Sequence, residues 1–226
     1  MKRLLVLAFL LPALHDATAD LVVAQRIEGT GQTGTTATLR LKGSKLRVDL
    51  ETRAGPMSSV MDLETGDSVR LMHDQKVMTR LSGAQAKETT DFLRKEAGKK
   101  AETHSGKPEA AGRREKIGEF NTEVFTWNGA NGVQTIWVTK DLPNYAKVKE
   151  QFDRISKSAS PDLTSLPGVV VKTELEREGK KFIATVLSVK EEEQNPALFE
   201  VPPDYRESEK RAKPNAVPPA EPAPAE

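Results

Sequence analysis

The chain has no cysteine in 226 residues. That excludes disulfides, a thiol nucleophile, thiolate metal sites and a lipidated cysteine. Aromatics are sparse at 5%, with two tryptophans and two tyrosines, so each carries a large share of any core. Only three histidines occur, His15, His73 and His104, and none stands in a metal-ligand spacing such as His-x-x-x-His. His73 reads as a residue of a solvated hairpin turn and His104 as one of a loop. An excess of one charge sign is also missing. Taking Lys2, Arg3 and Asp16 away with the leader described below leaves 32 basic and 32 acidic groups. Such a balance gives no electrostatic attraction to nucleic acid or to an anionic membrane surface.

Catalytic signatures are equally scarce. There is no Gly-x-Ser-x-Gly elbow and no phosphate-binding glycine loop. Asp62, Asp67 and Asp74 lie near expected strand ends, with no nucleophile or second acid paired to them. Glu191-Glu192-Glu193 is an acidic run that either binds calcium weakly or solvates a connection. The sequence therefore predicts no catalytic residue, no cofactor and no metal site. A hydrolase with an unrecognised site is the remaining enzymatic alternative.

Long apolar runs are absent except for one. Leu4 to Leu14 is interrupted only by Pro12, follows Lys2-Arg3, and precedes the small residues Ala17-Thr18-Ala19. These are the three parts of a secretory signal. A membrane-spanning helix needs about 20 apolar residues, and this run stops at His15-Asp16. The reading is a signal peptide over 1–19, cut near Ala19. It leaves a soluble periplasmic or secreted protein from Asp20, without a stable membrane anchor.

What the mature chain has in abundance is alternation. Leu46, Val48 and Leu50 alternate with Lys45, Arg47, Asp49 and Glu51, and Leu39 and Leu41 flank Arg40. A period of two puts aliphatics on one face of a strand and charges on the other. Further runs cover Leu21–Glu28, Ser58–Asp62, Ser68–Met72 and Val77–Arg80, broken by Gly43-Ser44, Glu64-Thr65-Gly66 and His73-Asp74-Gln75. Breaks that short join antiparallel neighbours, so this segment predicts an up-and-down meander of about six strands. Residues 84–97 are rich in helix formers. Gly98, Gly106, Pro108 and Gly112 stand among charges over 98–114, which reads as a mobile loop. Strands resume near Ile117 and continue over Asn121–Trp127 and Val133–Val138. A final pair spans Val169–Glu178 and Lys181–Lys190, the last with apolar groups on both faces and hence central. Asp141-Leu142-Pro143-Asn144 signals a helix start. Tyr145, Val148, Phe152, Ile155 and Ala159 then form one apolar stripe. The tail over 206–226, rich in Pro, Ala and charge, is expected to be disordered.

Three C-terminal segments, Ile117-Gly118-Glu119-Phe120-Asn121-Thr122-Glu123-Val124-Phe125, Trp137-Val138-Thr139-Lys140-Asp141-Leu142-Pro143 and Phe199-Glu200-Val201-Pro202-Pro203-Asp204-Tyr205, stand out with Met61-Asp62-Leu63 and the strand Lys76–Arg80. Together they resemble domain-of-unknown-function family 4412, which is similar to the periplasmic lipoprotein carriers of the LolA/LolB type. The resemblance covers roughly 20–205. It implies a mainly β (α+β) fold, an open antiparallel half-barrel of about eleven strands whose concave face is covered by helices. It supplies no catalytic residues.

The aromatic and helical residues Phe125, Trp127, Trp137, Tyr145, Val148, Phe152 and Ile155 are the candidate site. Two readings stand side by side. They pack as the core between sheet and helix, or some of them line an apolar cavity under a movable helical lid. The second reading makes the partner a lipid, lipoprotein acyl group or other amphiphile, bound without catalysis. The first suits an envelope-associated interaction module that binds an envelope protein.

Overall fold

A computed structural model describes residues 20–30, 32–52, 54–88, 107–129, 132–159, 161–177 and 179–208. The signal peptide expected over 1–19 lies outside the described residues, as do 89–106 and everything past 208. Strands β1 (Leu21–Gly29), β2 (Gln32–Lys42), β3 (Lys45–Thr52), β4 (Gly55–Asp62), β5 (Ser68–Met72) and β6 (Val77–Leu81) pair consecutively and antiparallel, as the short polar breaks require. A helix, α1, begins over 83–88. Strands β7 (Glu109–Ile117), β8 (Phe120–Gly129), β9 (Gly132–Thr139), β10 (Val169–Arg177) and β11 (Lys180–Glu191) form a second meander, interrupted by helix α2 (Tyr145–Ala159) and a 3-10 turn, Pro161–Ser165. Pairing of β11 with β1 fuses the two meanders. One sheet results, in the order β12-β6-β5-β4-β3-β2-β1-β11-β10-β9-β8-β7, where β12 is Arg206–Glu207. Its two edges do not pair, so it is an open half-barrel.

The alternation sorts side chains as expected. Leu39, Leu41, Leu46 and Val48 join the cluster beneath α2, here called the inner face. Arg40, Arg47 and Asp49, one residue out of phase, point to the outer face. Bulges in β10 and β11 reset this parity; in β10 the register against β9 slips between Val170 and Lys172. In β11 the register against β1 slips past Leu187, so Val186 and Val189 both reach the inner cluster although they are three residues apart. Leu187 is left 51% exposed. The strand is thus central by pairing, with Phe182 also exposed, rather than buried on both faces.

Two strands include residues that the sequence reading gave to a loop and to the tail. Residues 109–114, placed there in a mobile loop, are the first part of β7. An edge strand exposed on both faces needs no apolar period, because its hydrogen bonds to β8 hold it. Arg206 and Glu207, expected to open the disordered tail, pair parallel with Val77 and Met78. Parallel pairing follows from the route of the segment 192–208, which leaves β11 and crosses the outer face to the far edge. The side chain of Asp20 fixes its start, accepting from the Gln194 N–H at 2.8 Å and from Lys42 Nζ at 2.7 Å. Asn195 caps the 3-10 turn Pro196–Phe199, which contacts β3 and buries Phe199. Lys76 and Asp204 pair at 2.7 Å, a hydrogen bond that holds the Asp204 carboxyl below its usual range and raises the Lys76 ammonium.

Candidate functional site

Helix α2 begins where Asn144, at φ 51°, breaks the extended chain and its carbonyl accepts from the Val148 N–H at 3.2 Å. The Asn144 amide donates to Glu191, and the Tyr145 hydroxyl donates to the Pro167 carbonyl at 3.1 Å. These are the ties of the helix N-terminus. The apolar stripe then lies on the inner face. Val148 is buried, and Tyr145, Phe152 and Ile155 pack against Leu21, Leu41, Phe120, Val124, Trp137 and their neighbours. Five of the seven sequence-selected residues therefore meet in one cluster. Phe125 and Trp127 do not. Val124 and Phe125 alternate on β8, so Phe125 turns away from α2 and packs with Ile136, Val138, Leu166, Trp127 and Leu163 in a second cluster.

Trp137 is the polar margin of the inner cluster. Its indole Nε1 donates to Glu115 Oε2 at 2.8 Å, and Lys172 Nζ stands 4.2 Å from the ring centroid, a cation–π distance.

Among the described residues, two clefts open at the rim. One, of about 270 Å³, lies between the C-terminal half of α2 and the β4–β5 turn, lined by Leu63, Glu64, Arg154 and Lys157. Asp62 shapes that turn: its Oδ1 accepts from the Glu64 N–H at 2.9 Å, and Oδ2 accepts from the Ser44 hydroxyl at 3.1 Å. The Glu64 bond above all holds the Asp62 carboxyl below its usual range, against the opposing effect of burial. The other cleft, of about 260 Å³, is lined by residues that include Asn121, Thr122, Thr139, Asp141 and Pro167. Here two of the segments that stood out in the sequence converge, joined by Asn121 Nδ2 to Asp141 at 2.7 Å and the Thr139 hydroxyl to the Asn121 carbonyl at 2.8 Å.

The sequence reading missed a network on the outer face. Ser58 Oγ donates to Asp49 Oδ1 at 2.6 Å and lies 2.6 Å from His73 Nε2, while His73 Nδ1 lies 2.6 Å from the Tyr205 hydroxyl. Arg47 donates to Asp49, to Ser58 and to the Leu198 carbonyl. His73 does stand in a turn, yet it is half-buried and bonded on both ring nitrogens rather than solvated. The residue types invite comparison with a hydrolase triad, but the contacts run Asp–Ser–His–Tyr, with the serine in the middle and 1% exposed. A triad needs the histidine in the middle and an accessible serine. This network fastens the 192–208 strap to β3, β4 and the turn after β5.

A family model described as Domain of unknown function (DUF4412) matches residues 24–205. The chain belongs to this family. In this DUF4412 protein the third segment that stood out in the sequence lies within the strap, from buried Phe199 to Tyr205. No curated protein matches the sequence. Among solved structures, an uncharacterized conserved protein from Thermus thermophilus superposes with a TM-score of 0.53 at 8% identity, over 84% of this chain and 90% of that one. The Mycobacterium tuberculosis lipoprotein LppX gives 0.40 at 12% identity, over 77% and 88%. A LolA superfamily protein from Nitrosomonas europaea gives 0.30 at 13% identity, over 80% and 89%.

Proposed function

We propose that the chain is exported through the leader at 1–19, and that the mature protein binds or carries a lipid, a lipoprotein acyl group or another amphiphile without catalysing its conversion. The observation that carries this reading is how α2 is held. Its apolar stripe rests on an apolar sheet face through side chains, while its polar ties to other elements, among the described residues, fall at Asn144 and Tyr145. A helix attached in this way can swing about its N-terminus and exchange its own Phe152 and Ile155 for an acyl chain. Each buried methylene contributes about 0.8 kcal/mol. The site is then Trp137, Tyr145, Val148, Phe152 and Ile155, with Phe125 and Trp127 in the second cluster as structural support. Among the described residues no helix is long and apolar enough to cross a membrane.

The test is solvent extraction and native mass spectrometry of protein recovered from the exported fraction. Co-purifying lipid, and an N-terminus at Asp20, are expected. Lipid-free preparations that also fail to bind a fluorescent fatty acid would refute the reading. One observation favours a second: Val148 and Trp137 are already buried, 3% and 4% exposed, as a scaffold for contacts with an envelope protein would have them. In that case crosslinking in cells returns one envelope protein while extraction returns no lipid.

A further inference from the structure

We infer that the cleft between the C-terminal half of α2 and the β4–β5 turn receives an anionic headgroup, phosphate or carboxylate, of the amphiphile whose chain lies under the helix. This deepens the binding reading above and rests on it. Lys149 on α2 is neutralised by Asp153, both carboxylate oxygens lying 2.6 Å from Nζ. Arg154 and Lys157, three residues apart and so on one side of the helix, have no carboxylate partner among the described residues, and both line the cleft.

Gln151 is 5% exposed, and its Oε1 accepts from Arg154 Nη1 at 2.9 Å. A buried amide thus fixes the guanidinium through one N–H and leaves its other donors free for the planar, two-point recognition that arginine offers an oxyanion.

The cleft is continuous with apolar surface. Leu63, on the opposite lip, packs against the same cluster as Phe152 and Ile155. A headgroup held at Arg154 and Lys157 therefore has its chain directed at the inner face. A volume of about 270 Å³ falls just below the range of small-molecule sites and fits a headgroup rather than a whole lipid. Glu64 also lines the cleft and opposes a negative ligand, which gives the proposal a signature of opposite sign.

The experiment is calorimetric titration of the purified protein, below micelle concentrations, with three probes: dodecyl phosphate, dodecyl maltoside and inorganic phosphate. Dodecyl phosphate is expected to bind about tenfold tighter than the maltoside, the size of one charge-assisted contact. Arg154→Gln and Lys157→Gln each reduce that preference, and Glu64→Gln increases it, with maltoside affinity unchanged in all three. Equal affinity for both detergents, unmoved by the variants, overturns the headgroup site and leaves amphiphile binding standing. Inorganic phosphate binding as tightly as dodecyl phosphate overturns it in favour of a free-anion site. Binding of no probe overturns both readings. Unchanged thermal unfolding of the three surface variants shows that any lost preference is not lost folding.

Discussion

Replacing Phe199 by alanine tests whether the strap over 192–208 belongs to the cooperative fold or merely lies on it. Phe199 is 6% exposed at the end of a capped 3-10 turn that contacts β3. Beneath the course of the strap, Leu71 and Ser58 are 0% and 1% exposed on a face that α2 does not reach. Truncating a buried phenylalanine costs about 3–5 kcal/mol, the lower figure where the surroundings can settle into the gap. A strap at the surface can settle, so the expected loss is about 3 kcal/mol. For a domain of this size that lowers the melting temperature by about 6–12 °C. Tyr205→Phe removes only the hydroxyl that meets His73, a loss of about 1 kcal/mol. Urea unfolding followed by circular dichroism and tryptophan fluorescence provides the measurement. The midpoint should fall in both variants with the denaturant slope unchanged, because strap and sheet unfold together. A loss below about 1 kcal/mol for Phe199→Ala, or a reduced slope, would mean that the strap detaches independently and that something else buries Leu71.

Other perturbations follow from the same geometry. Gly132 has φ 122°, and a Cβ there would stand 2.4 Å from the Glu176 carbonyl oxygen. Gly132→Ala should therefore cost more than about 2 kcal/mol in thermal unfolding, whereas Gly179→Ala, at φ 72° with open space around it, should cost about 1. Trp137→Phe forfeits the bond to Glu115 and weakens the Lys172 contact, together about 1–2 kcal/mol by urea titration. Because the Asp62 pKa is lowered in the folded state, the stability it contributes is fully present above its unfolded value near 4 and disappears as pH falls through the lower folded value. The stability gap between the native protein and Asp62→Asn, measured by chemical unfolding, should accordingly be widest at neutral pH and narrow below about pH 4. A gap that did not change with pH would remove the carboxylate from the account.

The alternation of Leu46, Val48 and Leu50 with charges, the short polar breaks, and the stripe from Tyr145 to Ile155 are local patterns. Each follows from the two periods of a polypeptide, so the first meander and α2 were legible in sequence. What α2 would cover was not. A period names an apolar face but not the surface that meets it. Phe125 and Trp127 matched Trp137 in type, yet alternation within β8 sent them to another cluster. The bulges in β10 and β11 changed parity without any residue announcing it, and the first part of β7, 109–114, was hidden because it is exposed and shows no apolar period. The outer-face network joins His73 to Tyr205 and Arg47 to Leu198, partners 132 and 151 residues apart. Such contacts exist only once strand order and register are set. Local residue patterns were enough to dictate the first meander, α2 and the polarity of their faces. Which faces meet was settled in three dimensions, because that choice depends on closure over distances that no local period encodes.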